Sequence, residues 1–519
     1  MSVADLNIVL LSAAVVLLAG VLAVRISSRA GLPSLLLYLA IGLAIGEAGL
    51  GLLFSDAELT QVLGSLALGI ILAEGGFTTR WTVIRPVVSL AVVLATAGVA
   101  VSVIVTTTIA YLALDVDLRT AILLGAVASS TDAAAVFAVM RQLPLLRRLR
   151  STLEAESGFN DPLVIILVSV VTSDAWTQNS PLALGGMMVY QLLVGALVGL
   201  LVARAGQWVL ARSALPAAGL YPLATLAIAL VAFAAAGLAG SSSFLAIYVA
   251  GLWLGNADLP HRSSTQGFVE ASAWFAQIGL FVLLGLLASP QRLPQALLPA
   301  LVVGGALLFV ARPASILMCA TPFRVPWREQ AFMSWAGLRG AVPIVLATIP
   351  MTLGYPGAER IFDVVFLLVV IFTLIQGPAL PFLARRLKLV ETGATRDLHI
   401  ESAPLDELDA TLLHVDVPRR SRLVGVAISE LRLPGDAMIT LIVRAQRTFV
   451  PDSRTVLRPG DRLLLVAAND DRVNVERRMR AVSRAGRLAR WRGEDGRAIE
   501  THRDPDRQPP STPLRSSAN

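Results

Sequence analysis

The chain has 519 residues, of which 55% are hydrophobic and only 15% charged, with a formal net charge of +7 and a single cysteine. Residues 1 to about 388 read as apolar stretches joined by short loops, which excludes an ordinary soluble globular protein, and the lone Cys319 excludes an internal disulfide. The positive charge does not point to nucleic acid. Basic residues gather at the ends of the apolar stretches and in the run Arg477, Arg478, Arg480, Arg484, Arg487, Arg490 and Arg492, as a topology signal and a solvated tail would.

Apolar windows of helix-spanning length fall near residues 5–24, 33–53, 60–77, 86–113, 120–140, 152–173, 185–210, 219–239, 243–255, 267–288, 293–320, 329–352 and 361–384, which predicts about 13 transmembrane helices, the ninth a short one. Residues 1–25 lack a basic leader region and a small-residue cleavage site, so the first span is expected to be retained. The loops alternate in charge: Arg25/Arg29, Arg80/Arg85, Arg147/Arg148/Arg150 and Arg385/Arg386/Lys388 fall on one side, against Asp56/Glu58, Asp115/Asp117 and Asp174 on the other. The basic side is read as cytoplasmic, which puts the N-terminus outside and the C-terminus inside.

An odd count with six spans either side of the seventh permits inverted repeats, span 5 corresponding to span 12 and span 6 to span 13. Spans 5 and 12 both carry helix-weakening segments. In span 5 it is Ala128-Ser129-Ser130-Thr131-Asp132, whose hydroxyls can bond backbone carbonyls; in span 12 it runs from Gly337 through Arg339 and Gly340 to Pro343, which has no backbone donor. Non-helical backbone at membrane depth survives only where it is buried in protein or lines a cavity.

Asp132 and Asp161 lie about 15 to 18 Å into two successive spans. A carboxylate there costs at least a few kcal/mol unless it is paired, protonated or loaded with an ion. Span 6 reads Glu154-Ala155-Glu156-Ser157-Gly158-Phe159-Asn160-Asp161-Pro162, which puts Glu156 over Asn160 and Ser157 over Asp161 on a helix. Asp161 is the expected exchanging group: burial favours its protonated form, whereas an arriving cation favours the charged form and expels the proton. A hard alkali cation wants several oxygens, which Asp161, Asp132, the Ser157 hydroxyl and an oxygen of Thr131 can supply, with Asn160 holding the unwound backbone. One carboxylate beside an amide makes one proton per monovalent cation the simplest stoichiometry.

Arg339, about 15 Å into span 12, needs a carboxylate; Glu156 is the expected partner, Glu154 the second choice, in a structural ion pair. Glu74 lies nearer the cytoplasmic end of span 3, where it can line an inner funnel or snorkel to the interface. Glu47, Glu270, Gln277 and Asp363 read as pairing or interface residues. The histidines at 261, 399, 414 and 502 fall outside confident span interiors, which leaves the proton to the carboxylates.

Leu72-Ala73-Glu74-Gly75-Gly76, Ser130-Thr131-Asp132, Glu156 to Pro162 and Gly337-Leu338-Arg339-Gly340-Ala341-Val342, in that order, resemble the monovalent cation:proton antiporter family that includes bacterial antiporters of the NhaP type. The resemblance covers residues 1 to 390. It implies a homodimer in which a core with crossed, broken spans 5 and 12 moves against a dimerisation domain, ion ligation by Asp132, Ser157, Asp161 and the Thr131 backbone, and a Glu156–Arg339 pair. Ser130 and Ala133 stand where many sodium-selective relatives have prolines, and this pattern looks more like the potassium/proton branch.

After Lys388 the alphabet changes. Leu412 to Val417, Ala437 to Val443 and Asp461 to Val466 read as strands and Leu423 to Leu431 as a short helix, a small α+β unit. It resembles the C-terminal half of the TrkA-type regulator of potassium conductance, which implies a regulatory domain over 391–483 binding an unknown small ligand. No Gly-x-Gly-x-x-Gly follows a strand here, so NAD is unsupported, and 484–519 reads as a basic disordered tail. The expectation is an all-α polytopic protein of the bacterial inner membrane with a small cytoplasmic α+β domain, working as a secondary antiporter of K+ or Na+ against H+. It has no cofactor, no catalytic residue and no nucleic-acid partner, and lipid surrounds it. A tail-gated potassium channel is disfavoured by the lack of a Thr-Val-Gly-Tyr-Gly filter; a non-transporting sensor is the remaining alternative.

Overall fold

A computed structural model describes residues 3–30, 33–47, 56–132, 145–213, 215–390, 400–405, 410–418, 421–445, 447–468 and 471–486, together with 49, 51, 136 and 489. Ala133 and most of the second half of predicted span 5, His399, His502 and the tail beyond 489 lie outside them. The chain divides into two compact units, 1–391 and 392–519.

Among the described residues of the first unit, and apart from the single turn Ala175–Gln178, the helices are α1 (Val3–Ala30), α2 (Ser34–Ile45), α3 (Ala57–Thr78), α4 (Trp81–Leu114), α5 (Leu118–Ser129), α6 (Arg147–Thr172), α7 (Pro181–Arg212), α8 (Leu220–Leu238), α9 (Ser243–Asn256), α10 (Arg262–Leu287), α11 (Leu293–Ala320), α12a (Trp327–Trp335), α12b (Ala341–Thr352) and α13 (Ala358–Arg386). Eight of these are long and apolar enough to cross a membrane, and five shorter apolar helices, α2, α5, α9, α12b and the Leu10–Arg25 part of α1, occupy other predicted windows. Thirteen full crossings therefore remain an expectation from composition. Several starts are set by side-chain caps: Asp56 accepts from Leu59 N at 2.8 Å, Asp117 from Thr120 N at 3.0 Å and Ser242 from Leu245 N at 3.3 Å, each meeting one of the donors a helix start leaves orphaned.

Two helix groups result. α4, α5 and α6 pack with α11 and α13, and α2 and α3 pack with α9 and α10, while α7 lies on α8 and α9. The broken helix α12a/α12b joins α11 and α13 in the first group, so each half of the chain gives three consecutive helices to the group that carries the candidate residues, an arrangement compatible with inverted repeats. In the second group α3 and α9 touch backbone to backbone. A Cβ at Gly251 would stand 2.5 Å from the Ala73 carbonyl oxygen, and one at Gly255 2.0 Å from that of Phe77.

The second unit is an antiparallel sheet of five strands, β1 (Ile400–Leu405), β2 (Ala410–Asp416), β3 (Met438–Arg444), β4 (Arg447–Phe449) and β5 (Arg462–Ala468), in the order β1-β2-β5-β3-β4. Buried Leu413, Val415, Leu463 and Leu465 meet Val475, Met479 and Val482 of α15 (Arg472–Ala485). The helix expected over 423–431 shrinks to α14 (Ile428–Leu431), because Gly425 takes φ +83° and donates instead to the Leu457 carbonyl. Strands β1 and β4 and helix α15 went unread in the sequence. α15 also corrects part of the solvated tail: Arg478 is buried and its Nε donates to the Leu431 carbonyl at 2.9 Å. Asp461, fully buried, accepts from Arg444 Nε and Nη2 at 2.8 Å and from Arg458 N at 2.7 Å; these bonds to the carboxylate hold the Arg444 guanidinium above its ordinary pKa.

Gly251→Val is expected to remove the folded protein, since a branched side chain has to displace the α3 backbone, with overpacking of about 3 kcal/mol or more. Gly186→Val on α7, with nothing within 4 Å of its Cβ, should elute as wild type in size-exclusion chromatography of solubilised membranes.

Candidate ion site at two broken helices

α5 stops at Ser129, and Ser130, Thr131 and Asp132 continue in non-helical conformation; α12a stops at Trp335, and residues 336–340 are likewise non-helical before α12b begins. The breaks touch each other. Asp132 N donates to the Leu338 carbonyl at 2.8 Å, and a Cβ on Gly340 would stand 1.7 Å from Asp132 Oδ2, so only glycine fits that crossing. Pro343, expected to interrupt span 12, instead lies in the first turn of α12b, where its missing N–H costs nothing. Gly337 lets another side chain in: its Cβ would stand 3.1 Å from Arg312 Nε.

Backbone freed at this depth needs internal partners, and α6 supplies one of them and steadies the Thr131 side chain. Ser157 Oγ donates to the Thr131 carbonyl at 2.5 Å, and Asn160 Nδ2 donates to Thr131 Oγ1 at 2.6 Å. Ser130 Oγ donates to Asp161 Oδ1 at 2.6 Å. Asp161 is buried, and Asp132 and Arg339 are the charged groups that act on it. Thr131, Asp132, Ser157, Asn160 and Asp161 are thus brought together. Asn160 Oδ1, also buried, has no donor among the described residues.

The Glu156–Arg339 pair is not what forms. Glu156 is held by Arg312 of α11 through both guanidinium nitrogens, Nη1 to Oε1 and Nη2 to Oε2, the latter at 3.0 Å. Glu154, the second choice, bonds Arg150 one turn away at 2.9 Å. Arg339 Nη1 instead donates to the carbonyls of Ser129 and Ser130, at 3.2 and 2.6 Å. The reason is local: α5 ends there with orphaned carbonyls and the negative end of its dipole, and a guanidinium answers both. Arg119 does the same for the end of α6, donating to Val171, Thr172 and Ser173 carbonyls at 2.7 to 2.9 Å. Arg312 and Arg339 also line a small cavity with Gly337, Phe372 and Gln376, and the Nε of each is buried without an acceptor among the described residues.

Sequence reading missed Arg312, although an arginine inside an apolar window carries the same signal that singled out Arg339. It also missed Tyr248 of α9, which packs edge-on to Phe159 at 5.9 Å and fills the space beside Gly158, where a Cβ would lie 2.5 Å from its hydroxyl. Glu74 is not part of the cluster; it is half-buried on α3, and Glu270 is its charged neighbour. Asp363 and Glu359 bind Arg292 at 2.9 Å, and Glu47 accepts from Ser289 Oγ at 2.8 Å, as pairing residues should.

Removing one member of the Glu156–Arg312 pair leaves a buried charge unpaired. Arg312→Met is expected to cost about 3–5 kcal/mol, and the double variant Arg312→Met/Glu156→Leu much less. The single cysteine, Cys319, is buried, so a thiol-reactive dye added during a thermal ramp reads the unfolding of each variant.

Residues 13–386 match the family model described as sodium/hydrogen exchanger, transmembrane, and residues 412–479 match the TrkA-C domain. Curated relatives named potassium/proton antiporters include the following two. NhaP2 of Shewanella sp. (strain ANA-3) is 34% identical over 473 residues, 89% of this chain and 81% of the relative; NhaP of Alkalimonas amylolytica is 34% identical over 494 residues, 90% and 86%. The solved sodium proton antiporter MjNhaP1 of Methanocaldococcus jannaschii shares the fold with a TM-score of 0.66 at 24% identity, covering 74% of this chain and 99% of that one. With the match running through both broken helices and α6, the chain belongs to the sodium/hydrogen exchanger family of multi-pass membrane cation:proton antiporters.

Proposed function

We propose that the chain exchanges potassium for protons, one for one, at Asp161 and Asp132. The observation that carries this reading is the charge inventory around the crossing. Three carboxylates, Asp132, Glu156 and Asp161, face two guanidiniums, Arg312 and Arg339. Glu156 is spent on Arg312, and Arg339 stands at the end of α5, so among the described residues the carboxylates of this cluster outnumber its guanidiniums by one. A single proton or a single alkali cation cancels that excess, and the low-dielectric surroundings penalise both at once. The electroneutral exchange follows from that competition.

Oxygen donors for the cation are at hand in Asp161, Asp132, Ser157 and Thr131, and the unpartnered Asn160 Oδ1 adds another. Potassium is favoured over sodium by the names of the 34%-identical relatives. Glu74 with Glu270 gives the inner approach an acidic lining that draws cations in. The protein works as a homodimer in the bacterial inner membrane with its C-terminus in the cytoplasm, where the TrkA-C domain binds a small ligand that regulates exchange. None of these steps needs a resident cofactor.

The test is proton flux in everted vesicles on adding potassium, sodium, lithium or rubidium at several pH values. Potassium should evoke the largest proton movement, and Asp161→Asn should abolish it while the protein remains folded. No cation-evoked movement with any ion would refute antiport by this chain; a larger response to sodium would reassign the cation.

A further inference from the structure

The two helices that follow the breaks carry clamps at matching positions, their first members bonding a backbone carbonyl alike, while Asn160 bonds the Thr131 hydroxyl and Gln376 a second carbonyl. In α6 it is Ser157 and Asn160, three residues apart, with Pro162 two residues on; in α13 it is Thr373 and Gln376, three residues apart, with Pro378 two residues on. Thr373 Oγ1 donates to the Arg339 carbonyl at 3.1 Å, as Ser157 Oγ donates to that of Thr131. Gln376 Nε2 donates to the Trp335 carbonyl at 3.2 Å, the last of α12a. Thr131 and Arg339 each directly precede the residues at which the breaks meet, Asp132 and Gly340. Both α13 side chains are buried. The carboxylate is what the second copy lacks: the position matching Asp161 is Gly377.

We propose that Thr373 and Gln376 are positioning residues for cation exchange, holding the 336–340 segment so that it sets the placement of Asp132 against Asp161. The segment acts on the site at three successive residues. Leu338 accepts from Asp132 N, Arg339 caps the carbonyls of Ser129 and Ser130, and Gly340 lies against the Asp132 carboxylate. Thr373 is bonded to the middle one, so the geometry of all three follows its anchor. A cation held by several oxygens loses affinity when one ligand shifts by a fraction of an ångström, because its coordination is shared among them. Turnover, which depends on moving the helix group as a body, is less sensitive.

This inference rests on Asp132 and Asp161 being the ion site. The experiment reconstitutes full-length Thr373→Val, Thr373→Ser and Gln376→Met in liposomes and measures exchange rate against concentration of whichever alkali cation evokes the larger flux, beside wild type and Asp161→Asn. Val keeps the shape of Thr and loses the donor; Ser keeps the donor. For Thr373→Val and Gln376→Met the half-saturating cation concentration should rise about tenfold, the factor one lost net hydrogen bond carries, with maximal rate within about twofold of wild type. Thr373→Ser should behave as wild type. Unchanged half-saturation in both donor-free variants, equal impairment of Thr373→Val and Thr373→Ser, or a loss confined to maximal rate would overturn the proposal. So would failure of both donor-free variants to fold, which assigns the clamp to folding alone. Exchange surviving in Asp161→Asn sinks the site assignment itself, a separate failure.

Discussion

One backbone hydrogen bond, from Asp132 N to the Leu338 carbonyl, joins two interrupted helices, and a cluster of buried polar side chains is arranged around the interruption it spans. Hydrocarbon offers no water to satisfy the donors and acceptors that two broken helices release. Each has to be answered by protein, and beside that backbone bond the answers are buried polar side chains that would otherwise be costly: Ser157 from α6, Thr373 and Gln376 from α13, and Arg339 from the opposite break. Several polar residues of the apolar spans, Ser157, Arg339, Thr373 and Gln376 among them, thus answer a backbone requirement. The carboxylates Asp132 and Asp161 then occupy a place where helix ends and a guanidinium already surround a charge.

That ordering separates what was legible in the sequence from what was not. Asp132, Asp161 and the weak segments at 128–132 and 337–343 stand out because charge, glycine and hydroxyl clusters contradict the apolar alphabet about them. The partner of Glu156 could not be read. Arginine side chains are long enough for Arg312 and Arg339 both to reach the carboxylate's neighbourhood, and the outcome turned on the carbonyl ends of α5, which exist only once the helix breaks at Ser129. Thr373 and Gln376 were equally silent, since a threonine and a glutamine on an apolar helix carry no charge signal and take on meaning only beside the unwound segment they bond.

In the C-terminal unit the strands β2, β3 and β5 were legible from alternation, whereas the helix at 423–431 failed on one residue. Gly425, in the left-handed region, turns the chain so that its N–H serves the Leu457 carbonyl. α15 was hidden for a different reason: its density of arginines resembles a solvated tail, and only the spacing of Val475, Met479 and Val482 reveals the face that closes the sheet.

The two repeats differ where they touch, and the difference has an electrostatic consequence. Asp132 of the first repeat lies against Gly340 of the second, so close that any Cβ there would overlap the carboxylate. An aspartate at both positions would put two like charges in contact, and one of them would have to stay protonated or hold an ion permanently. A site that must be emptied and refilled in every cycle works better with one charge to cancel than with two. Glycine at 340 and at 377 removes the second carboxylate pair while the clamp that positions the backbone is kept, which leaves a symmetric scaffold enclosing a single asymmetric site.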